Sequence, residues 1–188
     1  AFSQIIRQYM SSPINFSFLT YSYLDELLPL VETAQVDFAI IGTMSPFLRQ
    51  VRNRLDNHNI EYIPFADAPI SVVVGPQNPL YQREGSVKLE ELYPYTVMQY
   101  GSPAKAPNHS VPYVIGLSAH AYGEVHVTNG QLFYTTIQAS PAIGLVAASP
   151  ENFALFNRFE NLRALSISDC EVTSQFAYIK SRRLALSD

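Results

Sequence analysis

The sequence has few of the residues that mark several classes of protein. It contains one cysteine, Cys170, and no tryptophan among 188 residues. A single cysteine excludes a disulfide within the chain and a metal site built from several thiolates, and it fits a reducing compartment. Charged residues make up 15% of the chain, below the roughly 25% of typical soluble proteins. Because disordered chains are rich in charge and poor in apolar residues, this composition predicts a folded domain.

Long hydrophobic runs and an excess of positive charge are also missing. No apolar run approaches the roughly 20 residues that span a bilayer, and the N-terminus lacks the pattern of a signal peptide. Twelve Lys and Arg residues against sixteen Asp and Glu residues give a net charge of −4. Nucleic-acid-binding surfaces neutralise phosphates with basic side chains, so this chain alone is not expected to bind DNA. We predict a cytoplasmic protein without a membrane partner.

The apolar residues, 47% of the chain, are distributed periodically. Residues 1–10 carry Phe2, Ile5, Ile6 and Tyr9 at helical spacing, with no capping residue before them. Because helices normally begin at Ser, Thr, Asp or Asn, we expect further sequence upstream. The length of the chain favours one large domain or two small lobes.

Strand and helix patterns alternate along the rest of the chain. In the first part, the predicted elements are strand 14–21, a helix from Ser22 to about residue 34, a strand at 36–42 buried on both faces, a helix opened by Ser45 and Pro46, strand 60–65, a break at 66–69, and strand 70–75. In the second part, they are a short helix 87–92, strand 95–100, loop 101–108, strand 124–127, helix 128–137, strand 142–147, a short helix at 149–151, and strands 162–167 and 173–180. This alternation predicts the α/β class, with helices on the faces of a parallel or mixed sheet.

Four local patterns, in this order, carry a resemblance. They are the small-residue turn and apolar strand at 34–40, the β-branched strand ending in Asn-Pro-Leu at 70–80, the short helix at 87–92, and the helix and apolar strand within 127–145. Together they resemble the effector-binding domain of LysR-type transcriptional regulators, which has the two-lobed fold of type 2 periplasmic binding proteins. The sequence departs from the family pattern at Asn78, where His is frequent, and at 140–143, where a glycine-rich turn is usual.

The resemblance implies two Rossmann-like lobes joined by two crossover strands. Lobe I comprises residues 1–66 and 167–188, and lobe II comprises residues 67–166. Two hinge segments are predicted where the lobes join: Phe65, Ala66 and Asp67, and Ser166, Ile167 and Ser168. The resemblance also implies a homodimer, a homotetramer in a full-length protein, and a winged helix-turn-helix outside this chain through which DNA is contacted.

Small ligands of α/β sheets bind beyond the carboxyl ends of the strands, so polar residues there are the candidate effector site. The candidates are Ser22, Thr43, Gln99, Tyr100, Gly101, Ser102, Thr128 and Asn129. A plain helix cap is the favoured role for Ser22, capping alone would also explain Asn129, and Thr43 could equally be a plain turn residue. Strand alternation does not decide whether Gln99 faces the cleft or the interior of the lobe.

The sequence lacks the usual catalytic and metal-binding patterns. It has no Gly-x-Ser-x-Gly elbow, phosphate loop or dinucleotide fingerprint. The four histidines, His58, His109, His120 and His126, lack the spacing of a helical metal pair. Cys170 has no second thiol with which to form a redox pair, so a packing role is favoured. We therefore predict no cofactor, no metal and no catalytic residue.

Three functions remain for such a chain. The first is an effector-sensing module that binds a small, anionic metabolite and controls an attached DNA-binding domain. The second is an extracytoplasmic solute-binding protein of the same fold, which would require a signal sequence upstream. The third is an enzyme such as a deaminase or dehydratase, which the lack of a convergent acid and base disfavours.

Overall fold

The computed structural model describes residues 17, 19–21, 23–101 and 110–183. The helices are α1 (Leu24–Glu32), α2 (Leu48–Asn57), α3 (Val111–Val114), α4 (Gly130–Gln138) and α5 (Phe153–Glu160). The strands are β1 (Ala39–Met44), β2 (Ile60–Val74), β3 (Thr96–Tyr100), β4 (Gly123–Val127), β5 (Ile143–Ala147), β6 (Arg163–Ser166) and β7 (Thr173–Ser181). The predicted α/β class is confirmed. The predicted helix at 1–10 and most of the predicted strand at 14–21 lie outside the described residues.

One long strand, β2, joins two sections of the sheet. The strand order is β1-β7-β2-β5-β3-β4, with β6 paired to β2 as well. Residues Ile60–Pro69 of β2 pair with β7, which pairs with β1; we call this the first section. The following residues of β2, from Ile70 to Val74, pair with β5 and β6, and β3 and β4 extend from β5; we call this the second section.

The predicted break at 66–69 was wrong, because β2 runs through it without interruption. Its pairing with β7 continues to Pro69, and the register shifts once, between Pro64 and Ala66. Phe65 is the extra residue of this bulge. Among the described strands, only β7 pairs with this part of β2. Pro64 and Pro69 have no N–H to donate, and no strand on the other side of β2 requires one.

Strand β1 also differs from the prediction for residues 36–42. It is antiparallel to β7, and it has no second partner among the described strands. Phe38 and Ile40 are 51% and 43% exposed. Among the described strands, β1 therefore lies at an edge of the sheet. The exposure of Phe38 and Ile40 shows that the predicted burial on both faces was wrong.

Three clusters of buried side chains stabilise the two sections of the sheet. In the first section, Leu28 of α1 and Leu55 of α2 pack against Ile60 and Ile179. In the second section, alternate residues of β2 serve opposite faces, because Val72 and Val74 belong to one cluster and Val73 to the other. Burial of each such side chain contributes roughly 1.5–3 kcal/mol.

Two further helices differ from the sequence prediction. Helix α1 begins at Leu24 with Tyr23 in the N-cap position, and no side-chain cap is formed there. The predicted cap at Ser22 was therefore misplaced, and Ser22 itself lies outside the described residues. The single turn α3 was not predicted.

The two places where the sequence departs from the resembled family touch each other. Asn78 donates a hydrogen bond from Nδ2 to the carbonyl oxygen of Pro141 over 2.5 Å. Its Oδ1 accepts from the N–H of Leu80 over 2.8 Å, which caps the short turn Pro79–Gln82. Asn78 thus ties this turn to the connection between α4 and β5.

Candidate functional site

Three parallel strands of the second section end at one edge of the sheet. Strand β3 lies between β4 and β5 and is parallel to both. The register places Tyr100 opposite Val127, and β5 ends nearby at Ala147. Ligands of α/β sheets bind beyond such carboxyl ends, so this edge is where the predicted site residues of this section converge.

The chain turns sharply after β3. Gly101 has a φ of +124°, a conformation that favours glycine. Its N–H donates to the carbonyl oxygen of Val127 over 2.8 Å. The Tyr100 side chain is exposed beside this turn, whereas Ser102 lies outside the described residues.

Helix α4 begins directly after β4. Asn129 occupies the N-cap position, and its Oδ1 accepts a hydrogen bond from the N–H of Leu132 over 3.0 Å. The predicted cap is confirmed, so the ordinary structural role of Asn129 is established. Asn129 leaves other N–H groups in the first turn of α4 without a partner in the helix, and Thr128 beside them is exposed. An anion is favoured at such a helix N-terminus.

Gln99 is buried at this edge with an unsatisfied donor. The residue is 6% exposed, and its Nε2 has no hydrogen-bond partner. It stands two residues after Val97, on the same face of β3 as that residue, and opposite His126 in register. An unpaired buried amide costs roughly 1–3 kcal/mol. A group that accepts a hydrogen bond would relieve this cost.

The first section carries a row of polar residues on three adjacent strands. Thr43 of β1 lies opposite Gln175 of β7, and Gln175 lies opposite Asp67 of β2. We call these three residues the cross-strand row. Residues directly opposite in antiparallel strands share a face, so all three side chains lie on the same face of the sheet.

Gln175 is the centre of this row. Its Nε2 donates to Oδ1 of Asp67 over 3.0 Å. Its Oε1 accepts from Nη2 of Arg52 over 2.7 Å and from the hydroxyl of Tyr62 over 3.1 Å. Arg52, on α2, also lies 4.9 Å from the centre of the Tyr62 ring, which is cation–π geometry.

Sequence reasoning did not find Arg52, Tyr62 or Gln175 as candidates. Each stands inside a helix or strand with no turn or cap signal beside it. Only the pairing of β1, β7 and β2 brings them to Thr43 and Asp67.

The ionisation of Tyr62 reflects this environment. Burial raises its pKa above the usual value of 10.0, and the positive charge of Arg52 and hydrogen bonds with Arg52 and Thr43 oppose this effect. Burial is the larger influence, so Tyr62 remains a neutral hydrogen-bond donor at physiological pH.

Strand β2 brings the two sets of residues close along the chain. Asp67 of the cross-strand row precedes Ile70, and Ile70 pairs with Ala147 at the end of β5. Ala148 donates its N–H to the carbonyl oxygen of Pro69 over 3.1 Å. Ser71 donates its hydroxyl to the carbonyl oxygen of Ala148 over 2.9 Å. The end of β5 is thus fixed to the middle of β2, next to the cross-strand row.

The second predicted hinge segment is bound to a neighbouring segment. Strand β6 ends at Ser166, and Ile167 forms a parallel bridge with Val87. The N–H and the hydroxyl of Ser168 both donate to the carbonyl oxygen of Val87, over 2.8 and 3.2 Å. In the first predicted segment, Phe65, Ala66 and Asp67 are exposed and lie at the bulge.

No metal-ligand cluster exists among the described residues. His58 contacts Glu32 over 2.9 Å, and His126 lies 3.6 Å from Glu124; His109 is outside the described residues. Cys170 is half-buried, and burial raises the pKa of its thiol. A thiol with a raised pKa is a weak nucleophile, which agrees with a packing role.

A surface groove of about 460 Å³ lies elsewhere in the second section. It is formed by the turn after Asn78, by α5 and by β6, with Tyr81, Phe153, Asn157 and Arg163 among its lining residues. Arg163 pairs with Val74, at the end of β2 that points away from Asp67. Because it is remote from the carboxyl ends of β3, β4 and β5, we do not assign this groove to the candidate site.

The fold is that of known effector-binding domains. The effector-binding domain of QuiR in complex with shikimate has a TM-score of 0.67 at 14% identity, covering 99% of this chain and 83% of that one. The C-terminal domain of a probable LysR-family regulator from Rhodococcus sp. RHA1 has a TM-score of 0.67 at 15% identity, covering 98% and 85%. The BenM effector-binding domain with benzoate has a TM-score of 0.61 at 20% identity, covering 98% and 78%.

These likenesses confirm the predicted resemblance in fold to LysR effector-binding domains and to type 2 periplasmic binding proteins. No protein-family model matches the sequence, and no curated protein is detectably similar to it. In the part of the chain that the structure describes, no helix is long and apolar enough to cross a membrane.

Proposed function

We propose that this chain is the ligand-sensing domain of a LysR-type transcriptional regulator. It binds a small anionic metabolite between two lobes and controls an attached DNA-binding domain. The buried Nε2 of Gln99 carries the proposal, because an unpaired donor lies where three parallel strands end and α4 begins. The solved domains of similar fold hold shikimate and benzoate, and both compounds are carboxylates.

The two lobes follow the division of the sheet. Lobe I comprises residues 1–66 and 167–188 and contains most of the first section; lobe II comprises 67–166 and contains the whole second section together with residues 67–69 of β2. The bulge at Phe65 and the segment from Ser166 to Ser168 serve as hinges. A ligand that contacts both lobes binds one lobe angle better than the other, and this difference in affinity is what an attached domain can sense.

The effector occupies the space beside the strand ends. In lobe II, it accepts a hydrogen bond from Gln99 and lies near Tyr100, Gly101, Thr128 and the start of α4 at Asn129. In lobe I, it approaches the end of β1 at Thr43. Ser102 and Ser22 complete the proposed contacts from outside the described residues.

The remaining properties follow from this role. The domain acts in the cytoplasm as a homodimer, within a homotetramer of the full-length protein, and contacts DNA through another domain. It performs no catalysis of its own.

A thermal-shift screen tests the proposal. The panel contains aromatic, alicyclic and aliphatic carboxylates, including benzoate and shikimate. A compound that binds the native state raises its stability by mass action, and a tenfold loss of affinity removes about 1.4 kcal/mol of that gain. We expect Ser102→Ala and Thr128→Ala to reduce the shift.

The control is Thr135→Ala, because Thr135 lies on α4, beyond the proposed site at its start, and its hydroxyl donates to the backbone carbonyl oxygens of Gln131 and Leu132. It should leave the shift unchanged. Equal shifts in the wild type and in both site variants would remove Ser102 and Thr128 from the site. A wild type that no compound stabilises would contradict the sensing role.

A further inference from the structure

We propose that Arg52 is the side chain of lobe I that recognises the charge of the ligand, and that the ligand is therefore a carboxylate. This inference rests on the proposed function. Arg52 is not among the site residues predicted from the sequence, and Thr43 has a supporting role beside it.

The contacts of Arg52 fix its position and leave some of its hydrogen-bond donors free. One N–H of its guanidinium donates to Gln175 over 2.7 Å, and its central carbon lies over the Tyr62 ring, 4.9 Å from the ring centre. The side chain is exposed. A guanidinium has five N–H donors, so donors remain for the paired oxygens of a carboxylate.

Arg52 also lacks an acidic partner of its own. Among the described residues, Arg54 pairs with Asp25, Arg83 with Glu91 and Arg182 with Asp56, whereas no carboxylate lies within ion-pair distance of Arg52. The nearest compensation runs through Gln175, whose amide separates Arg52 from Asp67. The guanidinium thus keeps its charge available to an anion while its position is fixed.

The position of this charge matches the candidate site. Gln175 lies opposite Thr43, near the end of β1, and opposite Asp67, three residues before the second section begins at Ile70. Arg52 therefore stands at the end of the lobe I sheet that adjoins lobe II. An exposed guanidinium there is available to the anionic group of a ligand on the lobe I side.

Thr43 acts through Tyr62 in this arrangement. Thr43 is buried opposite Gln175 in the register, Gln175 accepts the hydrogen bond of the Tyr62 hydroxyl, and the Tyr62 ring supports Arg52. Thr43 is therefore a positioning residue, and Arg52 is the group that touches the ligand.

Comparing the affinity of each carboxylate with that of its primary amide tests the effect of charge, because the two compounds have nearly the same shape. Benzoate with benzamide, and shikimate with its amide, are the first pairs, followed by aliphatic pairs. Because a charge-assisted bidentate contact is stronger than a neutral one, the wild type should bind the carboxylate roughly 10- to 100-fold more tightly than the amide. Calorimetric titration at pH 7 measures each affinity.

Arg52→Gln should remove this preference and weaken carboxylate binding at least tenfold. Arg52→Lys keeps the charge but loses the planar fork, so it should recover only part of the affinity. Arg54→Gln is the matched control, because it removes the same charge from the opposite side of α2; it should leave both affinities within about twofold. A spectrophotometric titration of Tyr62 adds a second readout, since loss of Arg52 should raise the pKa of Tyr62.

The outcomes separate the inference from the proposed function. Unchanged carboxylate affinity in Arg52→Gln, with binding intact in the wild type, would overturn the role of Arg52 and leave the sensing role standing. Wild-type binding of the amides as tightly as the carboxylates would also overturn it. A wild type that binds no member of the panel contradicts the proposed function, and the inference falls with it.

Discussion

Gln175 of β7 donates a hydrogen bond to the carboxylate of Asp67 on β2 over 3.0 Å. The two residues are also direct neighbours in the antiparallel register. The bond lies three residues from the point where β2 leaves the first section of the sheet for the second. It fixes the orientation of the Gln175 amide, which in turn receives the hydrogen bonds of Arg52 and Tyr62.

The alkaline stability of the protein should depend on Tyr62. Burial raises its pKa above 10.0 in the folded state. Both states are protonated below that value, so the contribution of Tyr62 is fully present at neutral pH. As the pH rises, the unfolded state ionises first, and stability falls until the folded Tyr62 ionises too.

Urea denaturation of wild type and Tyr62→Phe from about pH 8 to about pH 11 measures this effect. The free energy of unfolding of the wild type should decline more steeply above about pH 10. Parallel curves for the two proteins would contradict the raised pKa.

Replacing Gln99 by methionine should stabilise the protein without ligand. Methionine has a similar volume and no unpaired donor, so the free energy of unfolding should rise by about 1 kcal/mol. The same change should weaken binding of any ligand that accepts from Nε2. Met98→Leu is the matched control, because Met98 is the buried neighbour on the other face; it should change stability little and binding not at all. A destabilised Gln99→Met protein would show that the amide has a partner in the native state.

The cap of α4 can be measured directly. Asn129→Ala removes the acceptor for the N–H of Leu132 and should lower the free energy of unfolding by about 1 kcal/mol. Asn129→Asp retains an acceptor and should keep most of that stability. Equal loss in both variants would mean that the amide group, rather than its capping oxygen, is what matters.

Gly75 should tolerate no side chain. A Cβ there would lie 2.1 Å from the carbonyl oxygen of Ile137, at the end of α4. Because the obstacle is backbone, Gly75→Ala must displace the helix, and we expect a loss of about 3 kcal/mol or more in urea denaturation. Gly130→Ala is the control, since a Cβ at the start of the same helix meets nothing within 4 Å. It should change stability by less than about 0.5 kcal/mol.

Local signals in the sequence predicted the parts of the fold that local interactions build. Helix α4 with its cap at Asn129, and the short strand β3, depend on neighbouring residues. Ser22 shows the limit of such signals, because a cap-forming residue stands one position before the true cap. Strand β2 was divided in the prediction, because Pro64 and Pro69 signal a break unless the open edge beside them is known.

The network around Arg52 could not be predicted in this way. Gln175 lies 123 residues from Arg52, 113 from Tyr62 and 108 from Asp67 along the chain. None of these residues has an unusual neighbour that singles it out. Their proximity is a product of strand pairing, which a single sequence does not reveal.

The position of β7 between β1 and β2 has a consequence for synthesis. A ribosome makes β1 and β2 early, but the strand that both must pair with, Thr173–Ser181, is made long after them. A growing chain therefore presents two apolar strands without their shared neighbour, and unpaired strands of this kind join other chains. The interval before residues 173–181 leave the exit tunnel is therefore the period in which pairing with another chain competes most with folding.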